Sequence, residues 1–501
     1  MTNIAVRQRR KTPKAAPVSV PSPVGGWNTR DSLNAMSPED AALLDNWIPG
    51  VGNVSVRWGY SSHSTGMGSG NVDTLAEYHS GTTRKLIACA NGNIYDATTD
   101  TPSSLGSGFA SNQWQTANFN GSIFLVNGDD APQDYDGTTL SATAWTGTGL
   151  TISDLVGVNV FKSRLYFWEK DSQDFWYAAS AAVTGTLTKF PLSRVGQFGG
   201  NLVAMGTWTH DGGSGVDDHA VFIMSSGDVI VYQGSDPGVA ADWALVGVYR
   251  IGAPLGIRGV AKIGGDLIVM TVKDYVSLSA VLQTGQIGAA SKLSGAVVDA
   301  ASNSAAFGWQ ATVDQVKELI IYNVPRTDGK YDQHITSTLT GASARFRDIP
   351  ARCWASFNSE LYFGSTDGAV YKAGGTTDSG VVINADGRGA WMSGESATRK
   401  RVTAARPVLS STLGVTDYVF AVGSDFADVI AKAPAETTAT GSAWDVSEWD
   451  VSAWSPEYSV NTGWIVASAN GQSVSPRIRL STEKQVSWLR TDYRVESGIN
   501  L

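Results

Sequence analysis

The feature that most constrains this 501-residue chain is a repeat. One unit (strand, tight turn, strand, turn, strand) recurs seven times between residues 74 and 371. The first copy runs through 74–78 and 85–90, turns at Asn91-Gly92 and closes with 93–95; the second turns at Asn120-Gly121. Asn-Gly is the favoured two-residue hairpin turn because both positions accept positive φ. The third copy turns at Lys162-Ser163, the fourth at Ser226-Gly227, the fifth at Gly264-Gly265, and the sixth carries Asp328-Gly329. The seventh has Asn358-Ser359 and Asp367-Gly368. Middle strands begin at Leu86, Ile123, Leu165, Val221, Leu267, Leu319 and Leu361, an interval close to the spacing of propeller blades, about 40–50 residues. Each meander must bury both faces, and radial stacking achieves that. The pattern predicts an all-β protein, a β-propeller of about seven blades (six to eight), with an N-terminal arm, few short helices and a C-terminal β-domain.

The flanks read differently. Residues 1–26, with Pro13, Pro17, Pro21 and Pro23, form a basic Pro-rich arm expected to be mobile or extended. Residues 27–60 are expected to hold a short helix over 37–44, with Ser37 as cap and Pro38 at its first position, and then a strand over 53–60. That strand is expected to pair with the last blade and close the ring. The propeller spans 61–394, with an outer strand over 243–249 and a helix within 287–306. Residues 395–501 read as a separate β-sandwich-like domain with strands over 401–409, 417–422, 477–480 and 486–495.

Composition agrees with many short strands joined by turns: 55 Gly, 17 Trp and only 17% charged residues. The net charge is −9, and five cations without an acid in the arm leave −14 on the rest. An acidic body argues against tight nucleic-acid binding by the folded part. Cys89 and Cys353 are too few for a disulfide framework and are expected to be buried thiols, in a protein made in a reducing cytosol. The basic N-terminus lacks an apolar segment, so no secretory signal is read there, and no stretch reaches the roughly 20 apolar residues of a membrane helix.

No catalytic motif emerges: there is no nucleophile elbow, phosphate loop, zinc helix or Cys-x-x-Cys pair. His210 and His219 flank an Asp/Gly loop, and Asp129, Asp130, Asp134 and Asp136 form another acidic loop. Either could hold calcium, or offer carboxylates for glycoside hydrolysis, but inter-strand loops of an acidic β-protein look the same. The chain is therefore expected to be no enzyme and to carry no cofactor. Two binding candidates stand out. Arg7, Arg9, Arg10, Lys11 and Lys14 make the arm a candidate for docking on a partner. Trp444, Trp449 and Trp454 repeat at five residues, which fits neither a strand face nor a helix stripe, so they are a candidate subunit or partner contact.

A family resemblance covers residues 25–501. Gly25-Gly26-Trp27-Asn28-Thr29-Arg30-Asp31-Ser32, Leu44-Asp45-Asn46-Trp47-Ile48-Pro49 and Val56-Arg57-Trp58-Gly59-Tyr60 resemble tail proteins of short-tailed bacteriophages. So do Val158-Asn159-Val160-Phe161-Lys162-Ser163-Arg164-Leu165-Tyr166-Phe167, Tyr232-Gln233-Gly234-Ser235-Asp236-Pro237 and Trp488-Leu489-Arg490-Thr491-Asp492-Tyr493. The resemblance implies a structural protein of the virion tail, of hub or nozzle type. It would form a homohexameric ring below the portal and adaptor, bind other tail proteins, and let genomic DNA pass through without specific binding. Two rival readings remain: a glycan-binding or glycan-depolymerising tail propeller that contacts the host surface, and a cytosolic propeller scaffold.

Overall fold

The repeats fold where their turn residues dictate. Asn91-Gly92 and Asn120-Gly121 have positive φ at both positions, and so do Lys162-Ser163 and Asn358-Ser359, although no glycine is present in the last two. A side chain held in that region costs roughly 1–2 kcal/mol, so Ser163→Gly is expected to raise stability by about 1 kcal/mol in chemical denaturation. The computed structural model describes residues 16–211, 216–284, 290–393, 399–412, 418–429 and 458–497. The chain divides into two units, residues 58–380 and residues 1–57 with 381–501.

Residues 58–380 form a β-propeller. Its blades are antiparallel meanders over 72–107, 115–142, 155–190, 202–250, 260–277, 310–346 and 351–373, numbered 1 to 7 here. Each is four-stranded except blade 5, which has three strands. The first strand of every blade packs against the first strand of the next, and Ala351–Phe357 of blade 7 packs against Val72–Ser80 of blade 1, so the ring is closed. Apolar cores lie between blades. Phe175 of blade 3 stacks on Phe222 of blade 4 at 4.6 Å, and Leu75 and Leu86 of blade 1 meet Phe357 and Tyr362 of blade 7. Neither blade of a pair could bury such side chains alone, and each one covered contributes roughly 1.5–3 kcal/mol. Cys89 and Cys353 are both buried thiols, and burial raises the pKa of both.

Polar groups also join the blades. Asn323 of blade 6 donates to the carbonyls of Gly308 and Ala351, at 2.9 and 3.0 Å. Its Oδ1 accepts from Gln333 Nε2 at 3.0 Å and from Trp354 Nε1 of blade 7 at 3.1 Å. Between blades 5 and 6, Tyr275 stacks on Tyr322 at 3.8 Å, and its hydroxyl meets His334 Nδ1 at 2.8 Å. Burial pushes the His334 imidazole down to about 3. The folded chain therefore keeps it neutral, whereas the unfolded chain protonates it below its ordinary value of about 6.5. Stability present above pH 6.5 is lost as pH falls, by about 2 kcal/mol at pH 5. Urea midpoints at pH 7.5 and pH 5 measure this loss, and His334→Gln should shrink it.

The closing strand is not residues 53–60 but the next segment, Tyr60–Ser64, which pairs with Val370–Ala373 and completes blade 7. Gly59 permits this: a Cβ there would lie 1.9 Å from the Thr377 carbonyl oxygen. Val54–Val56 instead pairs with Trp47–Pro49 and with Val486–Ser497. The second unit is thus built from both ends of the chain, and its boundaries differ from the expected 27–60 and 395–501. Short flanking strands carry no local mark of which distant strand they will join.

The second unit has two sheets. In one, Asp40–Asp45, Ile383–Gly389, Val474–Thr482 and Tyr418–Ser424 are successive neighbours. In the other, Lys400–Thr412 pairs with Val486–Ser497, and apolar side chains such as Val402, Val474 and Tyr493 meet in the core. The helix expected over 37–44 is absent. Asp40 N bonds Ser37 O at 2.9 Å, so Ser37-Pro38-Glu39-Asp40 is a turn that leads into the strand Asp40–Asp45. Proline suits the second position of a turn as well as the first turn of a helix, and pairing with Ile383–Gly389 decides between them. Of the arm, Ala16–Pro21 is an extended strand that pairs with Val486–Ser497. Its prolines are tolerated because this strand is paired on one side only. Of 287–306, Ser294–Ala300 is α-helical and Ala301–Asn303 is a 3-10 turn. No helix among the described residues is long and apolar enough to cross a membrane.

Candidate functional site

Seven first strands around one axis leave a cavity of about 430 Å³, lined by residues of blades 1 to 6. Its wall is polar because inner-strand side chains serve as clasps between blades. Asn159 of blade 3 donates to Met205 O of blade 4 at 2.7 Å. Gln310 of blade 6 bonds Trp354 of blade 7 through both ends of its amide, accepting from the backbone N at 2.9 Å and donating to the carbonyl at 2.8 Å. Thr74 of blade 1 accepts from Trp114 N of blade 2 at 2.9 Å. Each clasp satisfies backbone groups that adjacent first strands, which are not hydrogen-bonded as a sheet, would otherwise leave unpaired.

Arg258, at the start of blade 5, reaches across the ring. It donates to Asp73 O, Thr74 Oγ1 and Trp114 O of blades 1 and 2, each at 2.7 Å. A second cavity of about 210 Å³ also borders it, lined by Arg258, Phe307, Gln310 and Arg352 among others. Arg258 therefore spans the axial passage. Beside it, Arg352 Nε bonds the Asp73 carboxylate at 2.5 Å and Arg352 Nη1 bonds Tyr331 OH at 2.9 Å, while the Phe307 ring lies 5.2–5.3 Å from both guanidinium groups. Desolvation lowers the pKa of Arg258, which remains cationic. Desolvation also raises the pKa of Asp73, against the pull of Arg352.

The sequence candidates fall elsewhere. Arg7, Arg9, Arg10, Lys11 and Lys14, and likewise Trp444, Trp449 and Trp454, lie outside the described residues. The carboxylates of the acidic loop serve local structure. Asp130 accepts from Ala110 N, Ser111 N and Asn127 Nδ2, Asp136 accepts from Thr138 N and Thr139 N, and Asp129 faces Lys170 at 3.8 Å. Of the other loop, residues 212–215 are outside the described set, and His219 lies against Trp208 at 5.3 Å. Among the described residues no three His, Cys, Asp or Glu side chains are grouped to hold a metal. Sequence reasoning passed over Arg258, and the only signal was a charged residue opening an inner strand.

Strand pairing defines the class: a β-propeller joined to a second β-unit. No family model matches the chain, and no curated protein does. Three solved structures show a distant similarity to it. The WD40 β-propeller domain of Doa1 is 8% identical, with TM-score 0.40, over 63% of this chain and 97% of that one. YCF48 from Cyanidioschyzon merolae is 10% identical, with TM-score 0.40, over 64% and 99%. BBS1N, solved in complex with ARL6DN, is 8% identical, with TM-score 0.40, over 64% and 97%.

Proposed function

We propose that this protein is a structural component of a short-tailed phage tail, a hub or nozzle subunit whose copies form a ring around the DNA exit channel. The observation that carries the reading is the blocked propeller axis, taken with the tail-protein motifs between residues 25 and 501. A 430 Å³ cavity floored by Arg258 has the capacity of a small-ligand pocket and cannot pass a duplex. The propeller then serves as a solid building block, and any DNA conduit lies between copies. The net charge of −9 supports passage without adhesion, since carboxylates and phosphates repel. Light scattering and electron microscopy of the purified full chain test this. A closed ring, six copies in the simplest case, with an opening wide enough for duplex DNA is expected. A monomer at every concentration, together with absence from purified particles by mass spectrometry, would overturn it. Depolymerisation of host capsule or lipopolysaccharide by the purified chain would favour the glycan reading instead.

A further inference from the structure

The axial cavity has an unusual charge inventory for an acidic protein. Its lining holds two cations, Arg258 at the floor and the exposed Lys262 at the rim, and no Asp or Glu. Arg258 sits deep in the ring yet keeps part of its surface accessible. Its three hydrogen bonds all go to neutral acceptors, two carbonyls and a hydroxyl, and use three of the five guanidinium donors. The nearby Asp73 carboxylate is taken by Arg352. Lys262 Nζ reaches only the Thr207 and Thr209 hydroxyls, at 3.3 and 3.4 Å. Among the described residues neither cation forms a salt bridge within 4 Å, although the Asp73 carboxylate also acts on Arg258 at longer range. A cavity whose lining holds two cations and no acid favours an anion with several acceptor oxygens.

We propose that the axial cavity is a binding site for a small oxyanion of the phosphate class, held between Arg258 and Lys262. The volume suits inorganic phosphate or a compact phosphate ester. A ligand there would tie blade 5 to blades 1 and 2 through the same guanidinium that already spans them. The site is independent of the role proposed above, because it needs no second copy of the chain.

The test uses the full chain and inorganic phosphate, titrated at constant ionic strength against chloride and followed by calorimetry and thermal melting. Saturable binding of one phosphate per chain is expected, with a rise in melting temperature that chloride does not reproduce. Lys262 is exposed, so Lys262→Met should leave the fold intact while weakening phosphate binding about ten-fold. Lys330→Met, at an exposed position outside the cavity lining, should leave it unchanged. Absence of saturable binding, or equal behaviour of the two variants, would overturn the proposal.

Discussion

Replacing residues 60–64 with a Gly/Ser segment of equal length is expected to lower propeller stability by about 5 kcal/mol and to broaden its melting transition. The segment supplies the outer strand of blade 7 in the register Tyr60↔Ala373, Ser61↔Lys372, Ser62↔Tyr371 and Ser64↔Val370. The Tyr60 ring also packs edge-on against Phe363 and Tyr371, both at 5.2 Å. Without it, blade 7 keeps three strands and its outer edge is exposed to solvent. The loss should spread to the interface where Phe357 and Tyr362 meet Leu75 and Leu86. Hydrogen exchange provides the readout: amides of 351–373 should lose protection first and those of blade 4 last. Unchanged exchange and melting would mean that ring closure adds no stability.

Asn323→Ala is expected to cost about 4 kcal/mol. The side chain is buried and all four of its hydrogen-bonding positions are used, on Gly308 O, Ala351 O, Gln333 Nε2 and Trp354 Nε1. Truncation leaves two carbonyls, the Gln333 amide N–H and an indole N–H without that partner in a site too tight to hydrate freely, and the cost exceeds that of an ordinary surface hydrogen bond several-fold. Asn323→Asp keeps the shape but removes both donors, so it should be nearly as damaging at neutral pH. Denaturant unfolding of the two variants measures both effects, and a cost below about 1 kcal/mol for Asn323→Ala would show that the network adds little.

What was legible in the sequence was whatever short-range chemistry determines. The Asn-Gly turns and alternating strands gave the seven meanders, and outer strands such as Ala244–Arg250 lie within a residue of expectation. In the second unit, Lys400–Thr412, Tyr418–Ser424, Val474–Thr482 and Val486–Ser497 contain or nearly contain the expected strands. Long-range pairing was not legible. Ser37-Pro38-Glu39 satisfies a helix start and a turn equally well, and only a strand more than 340 residues away in sequence, Ile383–Gly389, settles the matter. Val54–Val56 and Tyr60–Ser64 are both short, and nothing local shows which of them leaves the propeller and which closes it. The cavity was hidden for the same reason. Thr74, Trp114 and Arg258 are far apart in sequence and converge only when seven blades surround one axis.

The pairing of Tyr60 with Ala373 places the entry and exit of the propeller chain side by side. Gly59 N bonds Gly375 O at 3.0 Å and Gly374 N bonds Gly59 O at 2.8 Å, so the two segments are stitched together where they depart. Tension applied along the polypeptide from outside residues 59 and 375 would peel this short ladder open one rung at a time. The blades between would bear no load until the ladder had parted. Within the propeller, the junction is thus the place that a pull on the two departing segments would load before any blade.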